Sequence, residues 1–385
     1  MIKSSLYLLI CLLITGQTFG QKSTNKDSLL NIISISDNDT LLAKTYIGLT
    51  NITLGSSPNE ATDYIRKAIQ MSKRHQFQKE LITSYSLLAN LKYIRSEHDS
   101  SRFYLRQAYK ASLTLGDTIR AANCLHNLAI INHATGRLDS ALAITRLNTE
   151  TFIKLNDSIQ LGNTYNLMGN VYVDKGYKNI ALSHFYKALA IHEKYENKYL
   201  IAEDLLNISI ILHENNQIKQ AVKNLEKAIL LYDEIGRNHN KAQAINFLGS
   251  ALMDLGELER AKSRYLEALK ISETHNYRSN IARSYKFLGQ LAFKENNNQE
   301  AITYFNKALE IYHKSQARTS ESLLLTKLSE AYLRSGKNSA ALAAVNRSIS
   351  IAKENSFLKT LSEAYLLKSN ILQKMNRDSE SLINL

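Results

Sequence analysis

A forty-residue repeat runs through this chain and limits its fold more than any other feature. With Gly162 as position 1 of a unit, position 20 falls on Ala61, Ser101, Ala141, Ala181, Ala221, Ala261, Ala301, Ala341 and Ser381, without a slip. Position 27 is Ala68, Ala108, Asn148, Ala188, Ala228, Ala268, Ala308 and Ser348. Position 8 is small in eight of nine copies, among them Ala129, Gly169, Gly249, Gly289 and Ser329. Large residues recur at positions 4, 7, 11 and 24, for example Tyr165, Met168, Tyr172 and Phe185. Such a period marks stacked supersecondary units, each burying its apolar face on its neighbours. Small residues let two helix backbones approach, and the large ones fill the space around them.

The punctuation points to helices alone. There is one proline and no tryptophan in 385 residues. Gly136, Gly176, Gly256 and Gly336 share position 15, where a helix end needs a left-handed residue. Ser57-Pro58-Asn59-Glu60 reads as a capping box with proline at the first helical position. No copy has proline at position 32, so the second helix is expected to overrun that point by about a turn. Units start at 42, 82, 122, 162, 202, 242, 282 and 322, and a partial ninth starts at 362. Residues 21–41 form a polar lead-in with a short helix around Leu29–Ile33.

These residues resemble the tetratricopeptide repeat, over roughly residues 42–385. The match is fullest in Gly162–Glu193, through Tyr165, Met168-Gly169, Tyr172, Gly176, Ala181, Phe185 and Ala188. The third unit departs at Thr145 and Asn148 and is expected to pack less tightly. The resemblance implies an all-α, right-handed superhelical solenoid of about eight full repeats and a partial ninth. The long period and phrases such as Leu115-Gly116-Asp117 look like the periplasmic regions of two-component histidine kinases and related regulators from Bacteroidota-type bacteria. The membrane helix and output domain of that group have no counterpart before Leu385, so no kinase or DNA-binding activity carries over.

Residues 1–20 read as a secretory signal peptide. Lys3 precedes the apolar run Leu6–Ile14, and Thr18-Phe19-Gly20 forms a cleavage site before Gln21. The chain is therefore expected to be exported, to the periplasm or cell envelope. Cleavage leaves Cys124 as the sole cysteine, so no internal disulfide can form. Cys124 sits at a small packing position and is expected to be buried and inert. The net charge of +13 is scattered along the chain and reads as solvated helix faces, with anionic partners as the other reading. Export argues against nucleic acid.

No phosphate loop, zinc-protease helix or nucleophile–base pair is present, so the chain is expected to be non-enzymatic and to need no cofactor or metal. Asp174, Glu214 and Asp254 share position 13 and are expected to form a solvated acidic strip. The resemblance implies that positions 2, 5, 6, 9, 12 and 13 line a concave groove. Asn123, Asn127, Asn163, Asn166, Asn170, Asn207 and Asn246 fall there, followed by Arg283 and Lys286. A line of amides could clamp the backbone of an extended peptide, each offering a donor and an acceptor. It could equally be a wet helix face. The basic end could receive a carboxylate.

The expected partner is a protein or extended peptide segment, held by a scaffold or sensor. The alternative is the sensing part of a signalling system whose membrane and output parts are missing or separate. A membrane-bound signalling partner and a second copy at the C-terminal edge are further candidates.

Overall fold

The computed structural model describes residues 26–355, 357–377, 380 and 381. The expected signal peptide lies outside them. The chain divides into two compact units between Ile191 and His192.

The first unit holds α1 (Lys26–Ile35), α2 (Asp39–Thr53), α3 (Pro58–Arg74), α4 (Gln78–Ile94), α5 (His98–Thr114), α6 (Thr118–Ala134), α7 (Leu138–Lys154), α8 (Ser158–Asp174) and most of α9 (Lys178–Lys194). The second holds the end of α9, then α10 (Lys198–Glu214), α11 (Ile218–Glu234), α12 (Asn238–Asp254), α13 (Leu258–Thr274), α14 (Arg278–Lys294), α15 (Asn298–Lys314), α16 (Arg318–Arg334), α17 (Asn338–Glu354) and α18 (Leu358–Lys374). All described regular structure is helical, in consecutive packed pairs.

Two seventeen-residue helices and two three-residue turns make the period. This corrects the expected overrun. α9 stops at Lys194, one residue past position 32, and the added length lies at the start of α8, four residues before Gly162. Both turns close in the same way. After α6, the Gly136 N–H bonds the His133 carbonyl and the Arg137 N–H that of Asn132, with Gly136 left-handed at φ +74°. The return turn adopts the left-handed conformation even at Asn156, Glu196, Asn276 and Gln316. Ser57 makes no capping bond, against expectation. Glu60 is engaged instead by Lys26 Nζ at 2.6 Å and the Tyr64 hydroxyl at 2.9 Å.

The small positions work as expected, with a refinement. Ala61, Ala141, Ala221 and Ala261 are fully buried. A Cβ on Gly169 would stand 2.6 Å from the Phe185 ring, one on Gly249 2.5 Å from Tyr265, and one on Gly289 2.5 Å from Phe305. Glycine at position 8 therefore makes room for an aromatic ring at position 24, and not only for close backbones. Serine at position 8 or 20 can bond across the pair: Ser101 Oγ donates to the Ala89 carbonyl at 2.6 Å and Ser329 Oγ to that of Ala341 at 2.8 Å, whereas Ser209 Oγ turns back to the Leu205 carbonyl of its own helix at 2.6 Å. The third repeat is not loose at its odd residue. Asn148 is fully buried and its amide donates to the Ala122 carbonyl at 3.0 Å.

Candidate functional site

Within each unit the first helices of successive repeats touch: α2 on α4 and α6 on α8 in one, α10 on α12, α12 on α14 and α16 on α18 in the other. Among the described residues no second helix packs comparably on the next second helix. First helices thus form the tight layer of each unit, and the candidate residues sit on it.

Two registers of side-chain contact join this layer. At the first, position 5 meets position 3 of the next repeat: His126 Nδ1 lies 3.4 Å from Thr164 Oγ1, and Asn246 Nδ2 donates to Ser284 Oγ at 3.0 Å. At the second, position 12 meets position 13: His133 Nε2 lies 2.9 Å from Asp174 and His213 Nε2 2.8 Å from Asp254. This corrects the expected acidic strip, since Asp174 and Asp254 are hydrogen-bond partners of histidines one repeat back. A third contact is deeper. His192 Nδ1 lies 2.6 Å from Asp204, with both side chains shut off from solvent.

The nine candidates separate into four kinds. Asn246 is fully buried and spent on Ser284, so it offers nothing to a ligand. Its expected role is corrected to that of a clip between α12 and α14. Asn166 and Asn170 are nearly buried and bonded to each other, Asn170 Nδ2 to Asn166 Oδ1 at 3.0 Å. Asn123, Asn127 and Asn163 are half-buried, and Asn163 donates to Gln160 at 3.3 Å. Asn207, Arg283 and Lys286 form the fourth kind. Asn207 is 4% exposed, yet its Nδ2 has no partner among the described residues. Arg283 Nη1 is likewise buried without an acceptor. Its guanidinium lies 5.6 Å from the Phe247 ring centre, and Lys286 Nζ lies 4.1 Å from that of Phe287.

Asn90 was missed by sequence reasoning. It is 4% exposed, and its Nδ2 also lacks a partner. Its position 9 is that of Asn170, so the register itself could have flagged it. Buried unpartnered donors cost about 1–3 kcal/mol each, which makes them informative.

Burial pushes the Glu203 carboxyl up to about 7, with Asp204 adding repulsion. Burial and then Arg283 pull Lys286 down to about 7. Burial takes His126 down to about 4, so its imidazole is neutral at pH 7. Cys124 behaves as expected. It is buried, its thiol pushed up to about 11 by burial, 3.8 Å from Ser86 Oγ. Among the described residues there is no cluster of metal-ligating side chains and no helix long and apolar enough to cross a membrane.

Stacked helix pairs with this register define a helical-repeat scaffold. Residues 161–197 and 240–314 match two family models, each described as tetratricopeptide repeat. The chain is a tetratricopeptide-repeat protein.

The chain is similar to the regulatory protein AfsR of Streptomyces griseus, 25% identical over 178 residues. That match covers 46% of this chain but only 17% of the relative's length. In structure it is similar to a signal transduction ATPase with numerous domains, carrying a tetratricopeptide repeat sensor, from Pyrococcus horikoshii. That likeness has 14% identity and a TM-score of 0.63, covering 93% of this chain and 53% of the other. A Rap protein complexed with Competence and Sporulation Factor is similar at 13% identity and a TM-score of 0.63, over 86% and 91% of the two chains. At these identities the structures establish the fold.

Proposed function

We propose that this chain is an exported, non-enzymatic scaffold or sensor that holds a protein or extended peptide segment against its first-helix layer. One observation carries the reading. Asn90, Asn207 and Arg283 each keep a buried nitrogen without a protein acceptor on that layer. A main-chain carbonyl or a carboxylate would satisfy them, and an extended segment presents such groups at regular intervals. The half-buried Asn123, Asn127 and Asn163 add polar surface to the layer of the first unit, and Arg283 and Lys286 make that of the second unit basic. The Pyrococcus relative carries its repeats as a sensor, and the Rap protein was captured with a factor bound. Both agree with a ligand-holding role here. The same surface suits the sensing part of an envelope signalling system with a membrane-bound partner.

The test is a selection of displayed random dodecapeptides on residues 21–385, followed by titration of the winners. Joint replacement of Asn90, Asn163, Asn207 and Arg283 by Ala is expected to weaken binding at least tenfold. Replacement of the exposed outer lysines Lys219, Lys223 and Lys270 should leave it unchanged. Equal affinity in both variants would sink the reading.

A further inference from the structure

One edge of the first unit is apolar and basic at once. It is formed by the return turns that follow α3, α5 and α7, residues 73–79, 113–119 and 153–159. Leu113 and Ile153 are 55% and 54% exposed, and Leu115 and Ile119 are exposed as well. Lys79 lines one open recess with Leu115 and Ile119, so the first two returns lie side by side. α6 packs on α8, which brings the third return alongside the second. The exposed aliphatics are therefore clustered here, whereas single ones scattered over a surface need no explanation.

Arg74, Lys79 and Lys154 stand among them, all exposed and none in an ion pair among the described residues. The carboxylates of this edge are engaged locally. Asp39 lies 3.1 Å from His75 Nε2, and Glu80 lies 3.8 Å from Lys44 Nζ. Asp117 accepts from the Arg120 N–H and guanidinium, and Asp157 from the Gln160 N–H at 3.1 Å. The pattern belongs to this unit and not to the repeat. Positions 32 and 33 carry no carboxylate in the three returns, yet in the second unit they bring exposed Glu193, Asp233, Glu234, Glu273 and Glu354. The helix dipole accounts for cations in a last turn, but not for exposed leucine and isoleucine. Left in water, those side chains add nothing to folding.

We propose that this edge docks the protein on an anionic bilayer surface. Leu113, Leu115, Ile119 and Ile153 enter the headgroup–acyl boundary, where interfacial side chains reach about 5–10 Å deep. Arg74, Lys79 and Lys154 lay their stems along them and keep their charged ends among the lipid phosphates. Composition favours lipid over a protein partner. Protein contacts draw their energy from tyrosine, tryptophan and arginine and seldom from leucine, and no tyrosine or tryptophan stands on these returns. None of the residues assigned to the ligand lies on them either, so the bilayer contact is independent of the ligand-holding reading.

Co-sedimentation of residues 21–385 with lipid vesicles tests this. Binding to vesicles of phosphatidylglycerol and phosphatidylethanolamine, weakened by salt, is expected, with little binding to phosphatidylcholine vesicles. Joint replacement Leu113→Gln, Leu115→Gln, Ile119→Gln and Ile153→Gln should lower partitioning by at least about tenfold, with helicity and the urea midpoint kept. Arg74→Gln, Lys79→Gln and Lys154→Gln should each lower it by about fivefold. Leu230→Gln with Leu266→Gln, two exposed aliphatics on α11 and α13, should change nothing.

Equal binding to both kinds of vesicle, or wild-type binding by the quadruple Gln variant, overturns the proposal. Absence of vesicle binding overturns it too. Self-association that the quadruple variant loses, seen by sedimentation velocity without any vesicle binding, would assign the edge to a second copy of the chain instead.

Discussion

The two units share one repeat and dress its first helices in opposite ways. In residues 26–191 the layer is mostly neutral. Asn170 and Asn166 satisfy each other, and His126 is kept uncharged against Thr164. In residues 192–381 the same register carries Glu203, Asp204, Arg283 and Lys286. The contrast is sharpest where position 31 meets position 3 of the next repeat. Ser112 and Cys124 stand there in the first unit, a buried pair with a thiol that burial keeps protonated. His192 and Asp204 stand there in the second, buried at 2.6 Å. The backbone tolerates either solution, so the difference reflects what each layer presents and not what the fold requires.

The largest expected effect follows from that contact. His192→Ala leaves Asp204 without its imidazole and should cost about 3–5 kcal/mol in urea unfolding. His192→Ser with Asp204→Ser, which copies the neutral solution, should cost less than His192→Ala alone. A greater cost would mean that the His192–Asp204 contact is structural.

Next comes a packing change of about 1–3 kcal/mol. Gly249→Ala drives a methyl into the Tyr265 ring, and Tyr265→Leu should recover much of the loss, because Ala89 already faces Leu105 in the second repeat. No recovery in the double variant would contradict the glycine–aromatic pairing.

The third prediction has opposite signs in the two units. His126 has its folded pKa lowered to about 4, so the unfolded chain binds more protons between pH 6.5 and 4. Its contribution to stability is lost as pH falls through that window, and His126→Gln should flatten the loss. Glu203 has its folded pKa raised to about 7, so the folded chain binds more protons from pH 4.5 up to 7. Its contribution is lost as pH rises through that window, and Glu203→Gln should remove the decline. The smallest effect belongs to the surface pair Lys227–Glu193 at 2.9 Å, where Lys227→Ala should cost under about 1 kcal/mol.

Much of the fold was legible because packing repeats. Ala181, Phe185 and Ala188 recur at fixed spacing since each must meet the same neighbour. The helix starts were less legible. Four extra residues at the head of α8 change no small or aromatic position, so nothing in the pattern marks them. Left-handed turn residues such as Glu196 and Gln316 were also hidden, because only glycine advertises that conformation. At the candidate site, residue type showed polarity but not exposure. Asn246 and Asn207 look alike in sequence, yet Asn246 meets Ser284 while Asn207 keeps a free donor. For Asn246 the partner is supplied by Ser284, one repeat further on.

Photo-crosslinking tests the assignment of the ligand surface most directly. A benzophenone side chain is placed in turn at Asn163 and Lys286 on first helices, and at Lys223 and Leu230 on α11, in residues 21–385. Irradiation with a selected peptide should give adducts from Asn163 or from Lys286, on the unit whose first-helix layer holds it, and none from the α11 positions. Adducts confined to Lys223 and Leu230 would contradict binding on the first-helix layer.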